Sequence, residues 1–93
     1  MLEKVKTALR IKHNALDSDI LDSIAAARIE LKRAGVNEAL ADSDDNALIT
    51  LAIKTYCLAI YSAVESVRKG YDESFRYQLD NLRKSFREVG QNV

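Results

Sequence analysis

The residues that could do chemistry in this chain of 93 residues are one histidine, one cysteine and a short acidic cluster. His13 stands alone, so no cluster of histidines can bind zinc or iron. Cys57 lies in the most apolar segment, where a thiol is usually a small buried hydrophobic group. The sequence therefore predicts a protein that is not an enzyme and that needs no cofactor.

The acidic cluster consists of Asp42, Asp44 and Asp45, a spacing that superficially suggests calcium binding. It lacks the glycine and the downstream bidentate glutamate of an EF-hand loop. Carboxylates at a helix N-terminus are favoured by the helix dipole, and this explains the cluster better. The three glycines are isolated, so no glycine-rich phosphate loop is present.

Length and composition indicate one domain over residues 1–93. A chain this short buries a modest core, which favours oligomerisation as a further source of burial. The single cysteine cannot form a disulfide within the chain, and charges are mixed into the first residues. We therefore expect no signal peptide and a cytosolic setting. No apolar run reaches the ~20 residues that a membrane span needs, so no membrane is expected.

Hydrophobic spacing predicts an all-α fold, a small bundle of about four helices packed around a long, apolar central helix. The predicted helices cover residues 2–10, 18–34, 44–69 and 73–88. The third is apolar on every side, which is typical of a buried helix. One further helical turn is predicted over residues 38–41.

Capping residues delimit these helices. Predicted N-caps are Asp17 for the second helix, Ser43 or Asp42 for the central helix and Asp72 for the last. Gly35 is predicted to end the second helix in a left-handed conformation, with Val36 providing the accompanying hydrophobic contact. Gly70 is predicted to end the central helix.

The last helix carries a narrow apolar seam with spacings of four and three, formed by Phe75, Leu79, Leu82, Phe86 and Val89. This seam is predicted to pack on the central helix of the same chain, and a neighbouring subunit is the alternative.

Formal charge sums to zero but is unevenly distributed. Residues 1–12 are basic and residues 14–46 are acidic, and contact between unlike charged surfaces of two copies would use this layout. Solvated helix faces are the simpler interpretation. The predicted subunit-interface residues are Lys4, Lys6, Arg10, Asp17, Asp19 and Asp22. The predicted partner-facing residues of the last helix are Arg76, Arg83, Lys84 and Arg87.

A small helical DNA-binding or regulatory protein is the first alternative, and a small enzyme or accessory subunit is the second. The short turn of a helix-turn-helix is absent, and the carboxylates of Asp44 and Asp45 would repel phosphates at the start of the following helix. The last helix is a better candidate for DNA contact, but it carries carboxylates too. Sequence-specific nucleic-acid binding is therefore not expected.

Several segments, taken in order, resemble the head–tail connector (portal adaptor) proteins of tailed bacteriophages and prophages. The similarity extends over about residues 2–86 and consists of apolar positions and helix boundaries. The segments are 5–11, 19–27, 30–36, 44–48 and 71–75, together with Ala52, Lys54, Tyr56, Tyr77 and Leu82.

This resemblance implies a non-enzymatic structural protein of virion assembly that forms a ring beneath the portal, joins head to tail and extends the DNA channel. The ring would be expected to match the twelve-fold symmetry of the portal. The implied partners are copies of the chain itself, the portal protein and a tail or stopper protein. The implied location is the head–tail junction of the virion, with the host cytoplasm during assembly. Head-to-tail contacts between unlike surfaces are the type that close rings.

Overall fold

Five helices connected by short loops form the chain, as seen in a computed structural model that describes the backbone of residues 1–91 and the side chains of residues 1–84. No strand occurs in this part of the chain, so the all-α prediction is confirmed. The helices are α1 (Leu2–Leu9), α2 (Asp17–Arg33), α3 (Glu38–Ala41), α4 (Ala47–Tyr61) and α5 (Glu65–Gln91). The predicted turn over residues 38–41 is α3.

Helix α4 lies at the centre, in contact with α1, α2 and α5. Helix α5 runs antiparallel to α4: the Tyr56 and Phe75 rings meet edge-on with centroids 5.1 Å apart, and the Gln78 amide donates to the Thr55 hydroxyl at 3.2 Å. The core between the helices includes the fully buried side chains Val5, Ile20, Ala27, Leu31, Ile49, Ala52, Ile53 and Cys57.

The helix predicted over residues 44–69 is in fact two helices, so this prediction was wrong. Helix α4 ends at Tyr61, and Ser62 is extended, with φ −77° and ψ 129°. The Arg68 guanidinium donates to the Ser62 carbonyl at 2.9 Å and so satisfies an acceptor that the break exposes. The chain folds back because a single helix of about 39 Å would leave one end without apolar cover.

Two further predictions fail with the same break. Gly70 does not end a helix, and Asp72 does not begin one, because both lie inside α5. The Asp72 carboxylate instead accepts from the Arg76 guanidinium, one turn later, at 3.4 Å. A glycine within a helix costs about 1 kcal/mol relative to alanine, and burial of the α5 seam on α4 outweighs this cost.

The apolar seam of α5 packs on α4, as predicted, at the positions whose side chains the structure describes. Phe75 and Leu82 are buried and Leu79 is half-buried, within the core shared with α4. Phe86 and Val89 lie outside the described side chains.

The end of α2 confirms the prediction for Gly35, which has φ +100°. Its N–H donates to the Lys32 carbonyl and the Val36 N–H donates to the Leu31 carbonyl, both at 3.0 Å. This is the Schellman arrangement, and the buried Val36 side chain supplies its hydrophobic contact.

The predicted N-caps differ from those observed. Helix α2 begins at Asp17 itself, with Leu16 in the cap position. Helix α4 is capped by Asn46, whose side-chain oxygen accepts from the N–H groups of Leu48 and Ile49 at 2.9 and 3.1 Å. The Ser43 hydroxyl accepts from two N–H groups of the preceding turn, and α4 therefore starts later than predicted.

Helix α4 is apolar but not buried on every side, which corrects the prediction of a long buried central helix. It has 15 residues, and Leu48 and Leu51 expose 57% and 50% of their surface. The physical reason is that the three neighbouring helices cover only part of its circumference. Within residues 1–91, no helix is long and apolar enough to cross a membrane.

Candidate functional site

Two of the six predicted interface residues bind each other within the chain. The Lys6 ammonium lies 2.8 Å from an Asp17 carboxylate oxygen and donates to the Asn14 side-chain oxygen at 2.9 Å. Lys6 is only 4% exposed. This pair joins α1 to the start of α2, and Lys6 has little surface left for a neighbouring molecule, whereas Asp17 is partly exposed.

The other two predicted basic residues lie nearer the surface. Lys4 is exposed, and its ammonium donates to the Asp44 carbonyl at 2.7 Å. Arg10 is also exposed and ends α1 in a left-handed conformation, with φ 61°. Arg10 lines a groove together with Leu58 and Tyr71, so its charge lies beside an apolar surface.

Asp19 and Asp22 are exposed on α2. Neither forms an ion pair with any side chain of residues 1–84. The structure therefore leaves Lys4, Arg10, Asp19 and Asp22 as the accessible members of the predicted interface.

The predicted partner-facing cations of α5 are largely compensated by carboxylates of the same helix. Arg76 contacts Asp72, while Arg83 and Lys84 both contact Asp80, at 2.8 and 3.0 Å. A hydrogen bond from Lys84, with a weaker contribution from Arg83, lowers the pKa of Asp80 below its usual value. Arg87 lies outside the described side chains. This face presents paired charges, which makes it a poor match to the phosphate backbone of DNA.

Hydrogen bonds and ion pairs from α2, which the sequence analysis did not predict, anchor the loop between α3 and α4. The Arg28 guanidinium donates to the carbonyls of Ala41 and Ser43, at 2.9 and 3.0 Å, and to the Asp44 carboxylate. One turn later, Lys32 lies 2.9 Å from Asp42. The sequence does carry a signal for these contacts. Two cations lie four residues apart on α2, and two acids lie two residues apart in the loop.

The groups considered for catalysis are not activated. Cys57 is fully buried, and burial raises the pKa of its thiol to about 11. His13 is exposed, and its Nδ1 accepts from the Ala15 N–H at 3.3 Å. In residues 1–84, no group of three histidine, cysteine, aspartate or glutamate side chains is placed to hold a metal ion.

Exposed apolar side chains are the other notable surface feature. Leu48 and Leu51 of α4 line a groove with Tyr77, Gln78, Asn81 and Leu82 of α5. On α2, Leu21 and Ile29 expose 50% and 55% of their surface. Several large apolar side chains are thus exposed in the part of the chain whose side chains the structure describes.

Comparison with models of protein families shows the family to which the chain belongs. The model described as "Phage connector protein" matches residues 1–93. Comparison with curated proteins and with solved structures finds no match. Proteins of the matched family have a structural, typically non-enzymatic role in connecting the phage head to the tail. Because the match covers the whole sequence, this chain belongs to the phage connector protein family.

Proposed function

We propose that the protein forms a homo-oligomeric ring beneath the portal, joins the head to the tail or its stopper, and extends the DNA channel. The observation that carries this proposal is the family match over residues 1–93. Its site of action would be the head–tail junction of the virion, and the host cytoplasm would hold it during assembly. In this role its partners are copies of itself, the portal protein and a tail or stopper protein.

The shape of the molecule is consistent with contacts at more than one end. Its principal extents are 45 × 26 × 18 Å, and α5 has 27 residues against 15 in α4. Leu82 of α5 lines a groove with Leu48 in the first turn of α4, so the part of α5 that follows Leu82 extends past the start of α4. We propose that the face of α5 that carries Arg76, Arg83, Lys84 and Arg87 is directed towards the portal or tail partner.

The charge distribution supports contact between unlike surfaces of neighbouring copies. In this proposal Lys4 and Arg10 of one copy face Asp19 and Asp22 of the next. Lys6 and Asp17 contribute by holding α1 against α2, which sets the relative position of the two charged surfaces. Contacts of this head-to-tail kind close into a ring when the rotation between copies permits it.

The test is assembly with the cognate portal protein. We expect light scattering over a concentration series to show a large closed oligomer, or electron microscopy to show a ring that forms only when portal is added. Portal alone and the connector alone are the controls. A protein that stays monomeric or dimeric when portal is added would contradict the proposal. Affinity for duplex DNA that falls steeply with salt would favour the DNA-binding alternative.

A further inference from the structure

Two helix faces carry apolar side chains that remain exposed among the side chains of residues 1–84. The α2 outer face comprises Asp22, Ala25 and Ile29, which are all exposed. Their spacing of three and four residues places them on one stripe of α2. This stripe lies away from the core, because Ile29 is about 180° around the helix from the fully buried Ile20.

The second such face lies on α4. The α4 outer face comprises Leu48, Leu51 and Leu58, at spacings of three and seven residues, with Leu48 and Leu51 at least half exposed. Leu51 lies about 160° around the helix from Ile49 and Ile53, which are fully buried. This face is continuous with the groove along α5 in which Tyr77 is 70% exposed.

The two faces lie on opposite sides of the molecule. Helices α2 and α4 pack against each other, and each directs its buried residues into the shared core. Because Ile29 and Leu51 each lie on the far side of their own helix from that core, they point away from each other. Unlike surfaces on opposite sides are the arrangement from which head-to-tail assemblies are built.

Charge distinguishes the two faces and matches them to each other. Asp22 lies on the α2 outer face and Asp19 beside it, and neither has an ion-pair partner among residues 1–84. Beside the α4 outer face, Lys54 follows Leu51 by three residues and likewise has no ion-pair partner in that part of the chain. Arg10 shares a groove with Leu58. The α2 outer face is therefore acidic towards its start, because Arg33 near its other end is paired with Glu30. The α4 outer face is basic towards its end, since Asp45 lies before its start. These two ends are complementary in charge.

We infer that the α2 outer face of one copy packs on the α4 outer face of the next, with Ile29 beside Leu51 and Asp19 and Asp22 towards Lys54 and Arg10. The inference rests on the proposed function, because it specifies the subunit contact of the ring. It assigns the apolar part of that contact to α2 and α4.

The test uses two variants that each disable one face, Ile29→Lys and Leu51→Glu. Each places a charge opposite a like charge of the neighbouring copy, and both positions are exposed enough for the monomer to fold. Val64→Lys and Val64→Glu are matched controls, because Val64 is 56% exposed in the α4–α5 connection, outside both faces. Circular dichroism checks that all four variants are folded.

We expect neither Ile29→Lys nor Leu51→Glu to assemble alone, whereas the Val64 variants assemble like the wild type. A mixture of the two blocked variants should form one-to-one dimers, since each supplies the face that the other lacks. If both variants assemble like the wild type, the inference is wrong while the proposed function stands. If wild-type protein fails to assemble even with portal, the proposed function fails.

Cysteine cross-linking provides a second measurement on the assembled protein. Cys57 is fully buried, so thiols introduced by Ile29→Cys and Leu51→Cys are the reactive ones. In portal-bound rings, the double variant treated with a short bis-maleimide should give a ladder of covalent oligomers. Each single variant should give no dimer, and their mixture should give dimers only. Dimers formed by one single variant alone would show a two-fold symmetric contact and overturn the inference.

Discussion

At the scale of single residues, the charged side chains divide into those that connect parts of the chain and those that remain in solvent. Lys6 and Asp17 join α1 to α2, and Arg28 anchors the loop before α4. Asp19 and Asp22 have no such task within residues 1–84. Asp19 lies in the first turn of α2, where the helix dipole favours a carboxylate, and we propose that both acids also take part in assembly.

Cys57 provides a prediction at this scale. At pH 8 the native protein should react with a thiol reagent at least about 100-fold more slowly than the urea-unfolded protein, because the thiol is buried and protonated. An Ala63→Cys variant adds an exposed thiol as an internal control and should show one fast and one slow reaction. Rapid modification of native Cys57 would contradict the buried environment.

The raised pKa of the Cys57 thiol also makes the stability of the fold depend on pH. The unfolded thiol loses its proton near pH 9.0, whereas the folded thiol keeps it until about pH 11. Ionisation therefore favours the unfolded state as pH rises through this window, and the free energy of unfolding should fall there. Below about pH 9.0 the thiol is protonated in both states, and its contribution to the free energy of unfolding is fully present. Urea titrations of the wild type and a Cys57→Ala variant at pH 8 and pH 10.5 would separate this effect from that of the tyrosines.

At the scale of elements, the α4–α5 hairpin shows tertiary packing overriding local preference. The break at residues 62–64 carries neither glycine nor proline, while Gly70 lies within continuous helix. Folding back buries Phe75 and Leu82. Burial of a side chain of this size contributes about 1.5–3 kcal/mol, which exceeds the helix penalty of one glycine.

The two glycines that were predicted to end helices should respond in opposite ways to alanine. Gly70→Ala should stabilise the protein by about 0.5–1 kcal/mol, because a Cβ there meets nothing within 4 Å and alanine favours the helix. Gly35→Ala should destabilise it by about 1–2 kcal/mol, because φ is +100°. Urea unfolding monitored by circular dichroism measures both changes. A stabilising Gly35→Ala, or a destabilising Gly70→Ala, would show that the helix boundaries are wrong.

At the scale of the whole molecule, unlike surfaces lie on different sides of one small domain. The acidic residues Asp19 and Asp22 lie on or beside the α2 outer face, while Arg10 and Lys54 lie beside the α4 outer face. In the proposed ring, each copy would gain burial and charge pairing by packing these two surfaces on its neighbours. Such association would also compensate for the modest core of a chain of 93 residues.

Charge reversal tests this layout. The double variant Asp19→Lys/Asp22→Lys should weaken self-assembly about tenfold or more while leaving the monomer folded, because like charges would then face each other across the contact. Glu65→Lys/Glu73→Lys changes the net charge equally on exposed sites of α5 and serves as the control. Sedimentation at several salt concentrations measures both, and the wild-type assembly should weaken as salt rises. Unchanged assembly of the α2 variant would refute the charge argument.

The sequence by itself determined the features that depend on near neighbours along the chain. The end of α2 at Gly35, the contact of Val36 and the short helix α3 follow from hydrogen bonds and backbone preferences within a few residues. The apolar seam of α5 was predictable for the same reason, since its spacing depends only on helix geometry. The all-α class and the resemblance to head–tail connectors also came from patterns of this kind.

Only the tertiary structure decided which of several local options was used. It placed the break after Tyr61, chose Asn46 as the cap of α4, and paired Lys6 with Asp17. It also left Leu48 and Leu51 of an apolar helix in solvent. Each outcome depends on what lies opposite a residue in space, because burial and charge pairing are contributed by segments distant in sequence and can exceed local preferences of about 1 kcal/mol.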